Sequence, residues 1–487
     1  MAALYSKTVV TIDVSKNLNV TIMIVTIMIL QFVDRRDELQ VLNGLLARKK
    51  AALVLLYGRR RVGKTRLIQE FMKDKHGLYF YVPNAEEKTI VAEFSRVVES
   101  EFFEGFRFVD FTSFMEYLTK KCKANDVVAL DEFQRLTNIG GAISMLQRYW
   151  DEKLSKTGCL LILSGSSIGA IRRVALRGDA PLYGRRTATL KIEPLKYLDL
   201  FEWFKKYSAE ELVTIYGSFG GTPAYLEHID DNLSVEENIV EKILSKRSPL
   251  HDEPEMLLME EIRAPQRYMD ILSVIALGRN TISEIADATG LSRENATTYL
   301  KTLEILDLIE RVTPVTEPEA RRGLYKIRDP FFNFWFGFVR PNKRQLELGL
   351  EKNVWQDIRE EIKTHLGRIF EDICTEVLVE MTKKNMLPIQ IEKIGKWWWK
   401  ETEIDIVALE SKGKKALAIE TKLTELNYQE AKRLLSELTI KAKQIPNVKE
   451  CILGLMAKKI EDKEKIRNEG FLAFDLKDTE NLRKQEG

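Results

Sequence analysis

Eight consecutive residues, Gly58-Arg59-Arg60-Arg61-Val62-Gly63-Lys64-Thr65, fit the pattern GxxxxGK[ST] at each fixed position. A nucleotide's phosphates carry several negative charges. This pattern supplies what cradles them: backbone N–H groups in a glycine loop and the positive end of the helix behind it. Glycine at the fixed positions leaves the approach clear of any Cβ. Lys64 would reach the β- and γ-phosphates as a point charge, and the Thr65 hydroxyl would sit on bound Mg²⁺. The spacing therefore predicts a site for ATP and Mg²⁺ made of Gly58, Arg59, Arg60, Arg61, Val62, Gly63, Lys64, Thr65 and Arg66.

Two acids close a four-residue apolar run further on, in Val127-Val128-Ala129-Leu130-Asp131-Glu132. A buried parallel strand has this composition, and its carboxyl end is where ligands sit in open α/β sheets. Asp131, 67 residues after Lys64 (131 − 64), would hold Mg²⁺ through water. Glu132 would polarise the water that attacks the γ-phosphate. Residues 160–167, LLILSGSS, read as another buried strand, with Ser164 where a polar sensor would report the γ-phosphate. Arg185 and Arg186, in PLYGRRTATL, are of the type that stabilises a transferring phosphoryl group when closure or a neighbouring subunit presents it. A pair of loop arginines serves equally as solvated surface.

A third constellation stands near the carboxyl terminus. Strand alternation over residues 397–409 (WWWKETEIDIVAL) and 416–422 (ALAIETK) puts Glu403 with Asp405, and Glu420 with Lys422, on common faces. Asp405 and Glu420 would hold a divalent ion while Lys422 orients or activates the attacking water, as a metal-dependent phosphodiesterase requires. Convergence needs the two strands to pair as a hairpin around Gly413 with their acidic ends aligned. Glu371, on a helix expected to open at Leu366, is a third acid for the same ion. Lys412, Lys414, Lys415, Lys432 and Arg433 would suit a phosphate backbone or a solvated face. The E-x-K spacing recurs in any chain rich in Lys and Glu, so a scaffold that binds DNA or protein without cutting is the alternative.

The elements that must position these groups follow from periodicity. Residues 51–57 read as the strand entering the glycine loop and 66–73 as the helix leaving it. A β-rich run at 77–82 and a mostly helical stretch to 124 come next. An amphipathic helix running to about Lys50 precedes them, opening at Asp34-Arg35-Arg36-Asp37-Glu38-Leu39. The predicted fold is α/β: a parallel P-loop sheet over 28–200, a helical lid over 201–262, a winged helix over 263–330, a helical linker over 331–364 and a small α/β domain over 365–487.

Within 263–330, Thr281-Ile282-Ser283-Glu284 is a capping box, Gly290 marks a tight turn, Ser292 caps a second helix, and a hairpin follows around 314–326. The second helix would be the one to enter DNA. Residues 292–308, however, carry two bases, Arg293 and Lys301, against three acids, Glu294, Glu304 and Asp307. Only the wing, with Arg321, Arg322, Lys326 and Arg328, is basic, so packing against the P-loop domain is the expected role. The aromatic run Phe331-Phe332-Asn333-Phe334-Trp335-Phe336 is expected in the core at a junction.

Composition bounds the remainder. The 487 residues are 45% hydrophobic and 30% charged, with 75 basic against 73 acidic residues and a net charge of +2. This describes a globular protein with about three domains and excludes a polycation, so any nucleic-acid surface is local. Four cysteines without a CxxC point to a reducing, cytoplasmic setting and away from structural zinc. The apolar run at 20–30 has 11 residues, short of the ~20 that cross a bilayer. Residues 1–27 are expected to be an extension, with a membrane anchor as the alternative, and Met28 opens a sensible start. The partners implied are ATP and, as a candidate, DNA, with no membrane and a nucleotide-dependent oligomer.

GRRRVGKT, VVALDE, LILSGSS, PLYGRR and Gly220-Gly221-Thr222-Pro223-Ala224-Tyr225-Leu226, in this order, resemble the archaeal ATPase family of the STAND group of P-loop NTPases. The resemblance covers residues 32–335. It implies a sheet of the additional-strand type, with the Asp131 strand not next to the P-loop strand, and a catalytic glutamate at Glu132. It also implies a helical lid ending at GGTP, where Pro223 brings the lid back over the nucleotide. The carboxyl part resembles the restriction-endonuclease-like domain often fused to archaeal ATPases, a degenerate form of the PD-(D/E)xK nucleases with EID in place of PD.

Overall fold

Apolar runs of five or six residues build the three central strands of the amino-terminal sheet, because each is long enough to cross a layer and too apolar to face water, while the two edge strands are partly exposed. β1 (Ala52–Tyr57), β2 (Gly77–Tyr81), β3 (Val127–Asp131), β4 (Leu160–Gly165) and β5 (Ala188–Lys191) pair in parallel in the order β2-β3-β4-β1-β5. The structure, a computed structural model, describes residues 32–317, 323–411 and 414–484. β4 separates the strand that enters the glycine loop from the strand that ends at Asp131, the order of a P-loop NTPase of the additional-strand type. In the register, Ser164 lies level with Asp131 on one side and Leu56 on the other. The carboxyl ends of three strands thus emerge at one edge. Helices Glu87–Val98, Phe111–Lys121 and Ala142–Glu152 share one apolar core with this sheet.

Residues from Val33 onward form one compact unit. After β5, helix Ala209–Phe219 and the GGTP turn lead to helix Glu253–Glu261. Three helices follow, Gln266–Ala276, Ile282–Thr289 and Arg293–Ile305, with an antiparallel hairpin of β6 (Ile309–Val312) and β7 (Leu324–Ile327). The capping box at Thr281 forms as expected, and Ser292 accepts the Asn295 N–H at 3.2 Å. Gly290 ends the helix at φ 66°. The run from Phe331 to Phe336 is buried except for Asn333, which is half-buried.

Two expectations fail in the carboxyl part. No helix opens at Leu366: helix Glu351–Lys383 runs unbroken for 33 residues and carries Glu371 in its second half. Its buried positions continue from Val354 through Met381, so the apolar stripe has no interruption at 365. Residues 397–409 are not one strand either. β8 (Ile391–Trp399) and β9 (Thr402–Glu410) are antiparallel neighbours, turned at Lys400 with φ 55°. β10 (Lys415–Leu426), β11 (Glu450–Ile460) and β12 (Leu472–Asp475) complete a mixed sheet in the order β12-β11-β10-β9-β8. β9 and β10 form the expected antiparallel pair.

A single apolar core runs from Leu195 through the lid, the hairpin, helix Glu351–Lys383 and into β9 and β10. Segments of about 60 residues are marginal on their own, and here they share one interior. Among the described residues no helix is long and apolar enough to cross a membrane. The readings made for residues 1–27 and Met28, and for Arg321, Arg322, Lys412 and Gly413, lie outside the described residues.

Candidate nucleotide site and carboxyl-terminal acidic site

The glycine loop is shaped by its neighbours. A Cβ on Gly58 would lie 2.2 Å from the Ile192 carbonyl oxygen, and Gly63 has φ +92°. Both positions thus need glycine for the protein's own packing and backbone, before any ligand is considered. Arg35, in the left-handed conformation next to Asp34 at φ 61°, donates to the Val62 carbonyl at 3.1 Å and the Glu193 carbonyl at 2.7 Å. It ties the loop to the chain after β5. Pro223 of the GGTP turn comes within 3.9 Å of a Cβ built on Gly63, and the Leu195 N–H donates to the Gly221 carbonyl at 2.8 Å. The turn meets the loop as expected. Helix Glu253–Glu261, inside the expected lid of 201–262, follows and also reaches the loop.

Lys64 folds back over this loop, donating to the carbonyls of Gly58 at 3.0 Å and Arg59 at 2.6 Å. Burial lowers its amine to about 8, although Glu132 and Asp131 oppose the fall. The Thr65 hydroxyl donates to Asp131 Oδ2 at 2.6 Å, and so does Tyr79 at 2.8 Å. Asp131 Oδ1 accepts the Glu132 N–H at 3.0 Å. Glu132 itself has φ 57°, a strained conformation of the kind that gathers at functional sites. Its Oε2 takes hydrogen bonds from Gln134 at 2.7 Å and Ser166 at 2.9 Å, with Arg135 at 3.7 Å. Ser164 is fully buried at the same edge, and its hydroxyl has no partner among the described residues.

These residues fit Mg·ATP. Lys64 has only loop carbonyls to leave, Thr65 and Asp131 already stand together as a magnesium pair would, and the orphaned Ser164 hydroxyl points to a missing polar partner. Bound Mg·ATP would supply the phosphoryl group and the charge that bridges its oxygens.

Acids of helix Glu253–Glu261, with Asp329 further on, hold three of the loop's arginines. Arg59 meets Asp329 at 2.8 Å and lies over the Phe332 ring at 4.5 Å. Arg60 pairs with Glu260, and its Nε is 3.7 Å from Glu261. Arg61 pairs with Glu253 at 2.6 Å, and Arg66 lies 3.7 Å from Glu70 on its own helix. Arg185 and Arg186 are elsewhere. Arg185 pairs with Asp151 at 2.8 Å, while Arg186 lies over the Tyr183 ring and donates to Thr189. They precede Thr187, whose N–H bonds the Leu53 carbonyl, while the loop follows Tyr57, which is level with Lys191. About five residues at ~3.3 Å each put them at the opposite end of the sheet, so they do not reach this chain's own loop.

The hairpin and its helices pack on both sides. Asp307 pairs with Lys191 at 2.8 Å and Arg328 at 2.9 Å. Lys326 pairs with Asp372 of the long helix, and the Val315 N–H donates to the Lys396 carbonyl on β8 at 3.0 Å. The element is thus fastened to the sheet on one side and to the long helix and β8 on the other. Its described wing bases, Lys326 and Arg328, are taken up by acids.

At the carboxyl end, β9 and β10 pair up to Ile406 and Ile419, so Asp405 and Glu420 occupy the next facing positions. Asp405 accepts the Thr421 N–H at 2.8 Å and its hydroxyl at 3.0 Å. Burial and Glu420 together raise its carboxyl. Glu420 is bound by Lys422 at 2.9 Å and Lys441 at 3.1 Å. Glu371 pairs with Lys396 at 3.1 Å, and burial raises its carboxyl. Glu371 and Asp405 line a cleft of about 1020 Å³ together with Arg311, Lys326, Arg368 and Lys396. Among the described residues no three His, Cys, Asp or Glu side chains gather as a metal ion needs. Of the surrounding bases, Lys415 pairs with Glu450, Lys432 with Glu469, and Arg433 lies 3.9 Å from Glu437.

Sequence reasoning missed Tyr79, Gln134, Ser166 and the four acids on the loop arginines. Ser166 carried a signal, as one of the hydroxyls ending LLILSGSS. Glu253, Glu260 and Glu261 carried none, being indistinguishable from any charged helix face.

Residues 32–229 match the model of an ATPase domain predominantly from Archaea, and residues 335–434 match a family described as archaeal and bacterial proteins of unknown function. An uncharacterized protein of Methanocaldococcus jannaschii is 35% identical over 450 residues, 92% of this chain and 99% of that one. An uncharacterized ATP-binding protein of the same organism is 51% identical over 47 residues, 10% of this chain and 80% of that protein. A solved Walker-type ATPase of Pyrococcus abyssi aligns at a TM-score of 0.47 and 22% identity, over 63% of this chain and 96% of that one. Matched at that identity to a relative along nearly its whole length, and carrying both domains in order, the chain belongs to the archaeal ATPase family that joins a P-loop ATPase domain to a carboxyl-terminal domain of unknown function.

Proposed function

We propose that this protein binds and hydrolyses ATP with Mg²⁺, and that its nucleotide state controls a winged helix and a nuclease-like carboxyl-terminal domain acting on DNA. The observation that carries the first part is the gathering of Lys64, Thr65, Asp131 and Glu132 at one sheet edge. Lys64 holds the phosphates, Thr65 and Asp131 hold the metal, Glu132 is the base, and Ser164 senses the terminal phosphate. Arg185 and Arg186 act, in this reading, only on a neighbouring copy. Control is supported by the ion pairs from Arg59, Arg60 and Arg61 to Asp329, Glu260, Glu261 and Glu253, since a bound nucleotide changes the charge these acids meet. The second part draws on the juxtaposition of Asp405, Glu420 and Lys422, with Glu371 across the cleft. Asp405 and Glu420 would bind Mg²⁺ and Lys422 would position the water.

A second reading is favoured by one observation. Both oxygens of Glu420 are taken by lysines, which suits a nucleotide-gated scaffold whose nuclease-like fold no longer cuts. Incubating the protein with plasmid DNA and Mg²⁺ or Mn²⁺, with and without ATP, separates the two. Cleavage that disappears in Asp405→Ala and Lys422→Ala while ATP hydrolysis persists supports the nuclease. Intact plasmid under every condition supports the scaffold.

A further inference from the structure

Glu132, Asp131, Arg60 and Glu261 all act electrostatically on the Lys64 amine, and Glu132 and Glu261 hydrogen-bond the neighbouring hydroxyls of Ser166 and Ser167. If Lys64 holds the phosphate chain and Glu132 faces its end, Arg60 and Glu261 flank that end. Glu261 is only 13% exposed. One of its oxygens lies 3.7 Å from Arg60 Nε, and the other accepts the Ser167 hydroxyl at 3.1 Å. The adjacent Ser166 hydroxyl holds Glu132 at 2.9 Å. Glu261 therefore rests on the same serine turn as Glu132. A carboxylate between the guanidinium of a phosphate loop and a hydroxyl makes the contacts that phosphate oxygens make.

We infer that Glu261, with Glu260 beside it, is a specificity-determining residue that stands in for the terminal phosphate on Arg60. A nucleoside triphosphate must displace it and release the end of helix Glu253–Glu261, whereas a diphosphate ends short of Arg60 and leaves the helix seated. This rests on the nucleotide reading above. The helix has an unequal grip. At its start, Glu253 is buried and held by Arg61 at 2.6 Å and Tyr225 at 3.2 Å. At its end, Glu260 is 54% exposed and exchanges readily. Burial raises the Glu261 carboxyl although Arg60 opposes it, so a doubly charged phosphate competes well for the same guanidinium. Arg59, Arg60, Ser166, Leu257 and Glu261 share a small pocket with Leu306 and Leu308, so freeing this end loosens the seat of the helix–hairpin element as well.

The test uses the full chain and two probes, Mg·AMPPNP and Mg·ADP, titrated by calorimetry into wild type, Glu261→Gln and Glu260→Gln/Glu261→Gln. Removing one charged contact that competes with the ligand should tighten AMPPNP about tenfold and leave ADP within about threefold. In wild type, hydrogen exchange over residues 253–261 should rise with AMPPNP and not with ADP. Arg60→Ala should erase the difference between the two nucleotides. Equal tightening of both nucleotides, or unchanged exchange at 253–261 with AMPPNP bound, overturns the inference. Wild type that binds neither nucleotide overturns the nucleotide reading itself, and this inference with it.

Discussion

Asp329→Ala should be among the most damaging single changes outside the apolar core. Asp329 and Arg59 have side chains only 2% and 9% exposed, and their charged groups meet at 2.8 Å. Two unit charges near 4 Å apart at an effective dielectric of 20 interact by ~4 kcal/mol. Removing one partner of a buried pair, which strands the other charge, costs ~3–5 kcal/mol. Asp329 Oδ1 also accepts the Phe331 N–H at 2.9 Å, capping the aromatic helix, and loss of such a cap costs ~1 kcal/mol. The two losses share one side chain and add to roughly 4–6 kcal/mol at most. Asp329→Asn keeps the cap and should cost about 2 kcal/mol less than the alanine. Arg59→Met/Asp329→Leu, which leaves no buried charge, should recover most of the loss. Urea unfolding followed by tryptophan fluorescence reads this directly, because Trp335 is buried in the same cluster. An alanine variant within about 1 kcal/mol of wild type would refute the claim that this pair fastens the phosphate loop to the aromatic helix.

Nucleotide affinity should depend on pH through Lys64. Its amine lies near 8 when no phosphate faces it, so above that pH binding must take up a proton, and affinity should fall by up to about tenfold per pH unit. Calorimetry at pH 7 to 9 in two buffers of different ionisation enthalpy measures both, and flat affinity without proton uptake contradicts the assignment. Glu376 should set a second pH dependence, in stability. Burial raises its carboxyl from 4.5 to about 7, against the N–H groups of Leu198 and Tyr197 that it accepts. The fold therefore keeps a proton that the unfolded chain releases, and stability falls as pH rises from 4.5 to 7 and then levels. Glu376→Gln should match wild type near pH 4.5 and exceed it by ~3 kcal/mol at pH 8. A variant no more stable than wild type at pH 8 would show that the carboxyl is not strained there.

Much of the nucleotide site was legible because its parts are local. A glycine loop between a strand and a helix, and two acids at the end of an apolar run, are complete within a few residues each. The strand that carries Ser164 was legible for the same reason, from the apolar run LLIL, although its register against Asp131 depends on pairing with another strand. The acids on the arginines were not, because Arg59 finds Asp329 270 residues away and only the fold brings them together. The helix start expected at Leu366 was misplaced for a related reason. Cap and turn signals mark where helices start, as at Thr281 and Ser292, but the stripe from Val354 to Met381 packs into one core with the lid and the carboxyl sheet. No break at 365 was there to be read. The pairing of Asp405 with Glu420 was legible as a hairpin, whereas Lys441, which takes the second oxygen of Glu420, comes from a helix 21 residues on.

In the proposed function, Lys64 and Glu132 make this sheet edge an ATPase. Mg·ATP binding and turnover measured side by side on wild type, Lys64→Ala and Glu132→Gln test it most directly. Lys64→Ala should lose ~1.5–3 kcal/mol of nucleotide binding, while Glu132→Gln should bind as wild type does and hydrolyse at least about 100-fold more slowly. Wild-type turnover in Glu132→Gln would contradict the account.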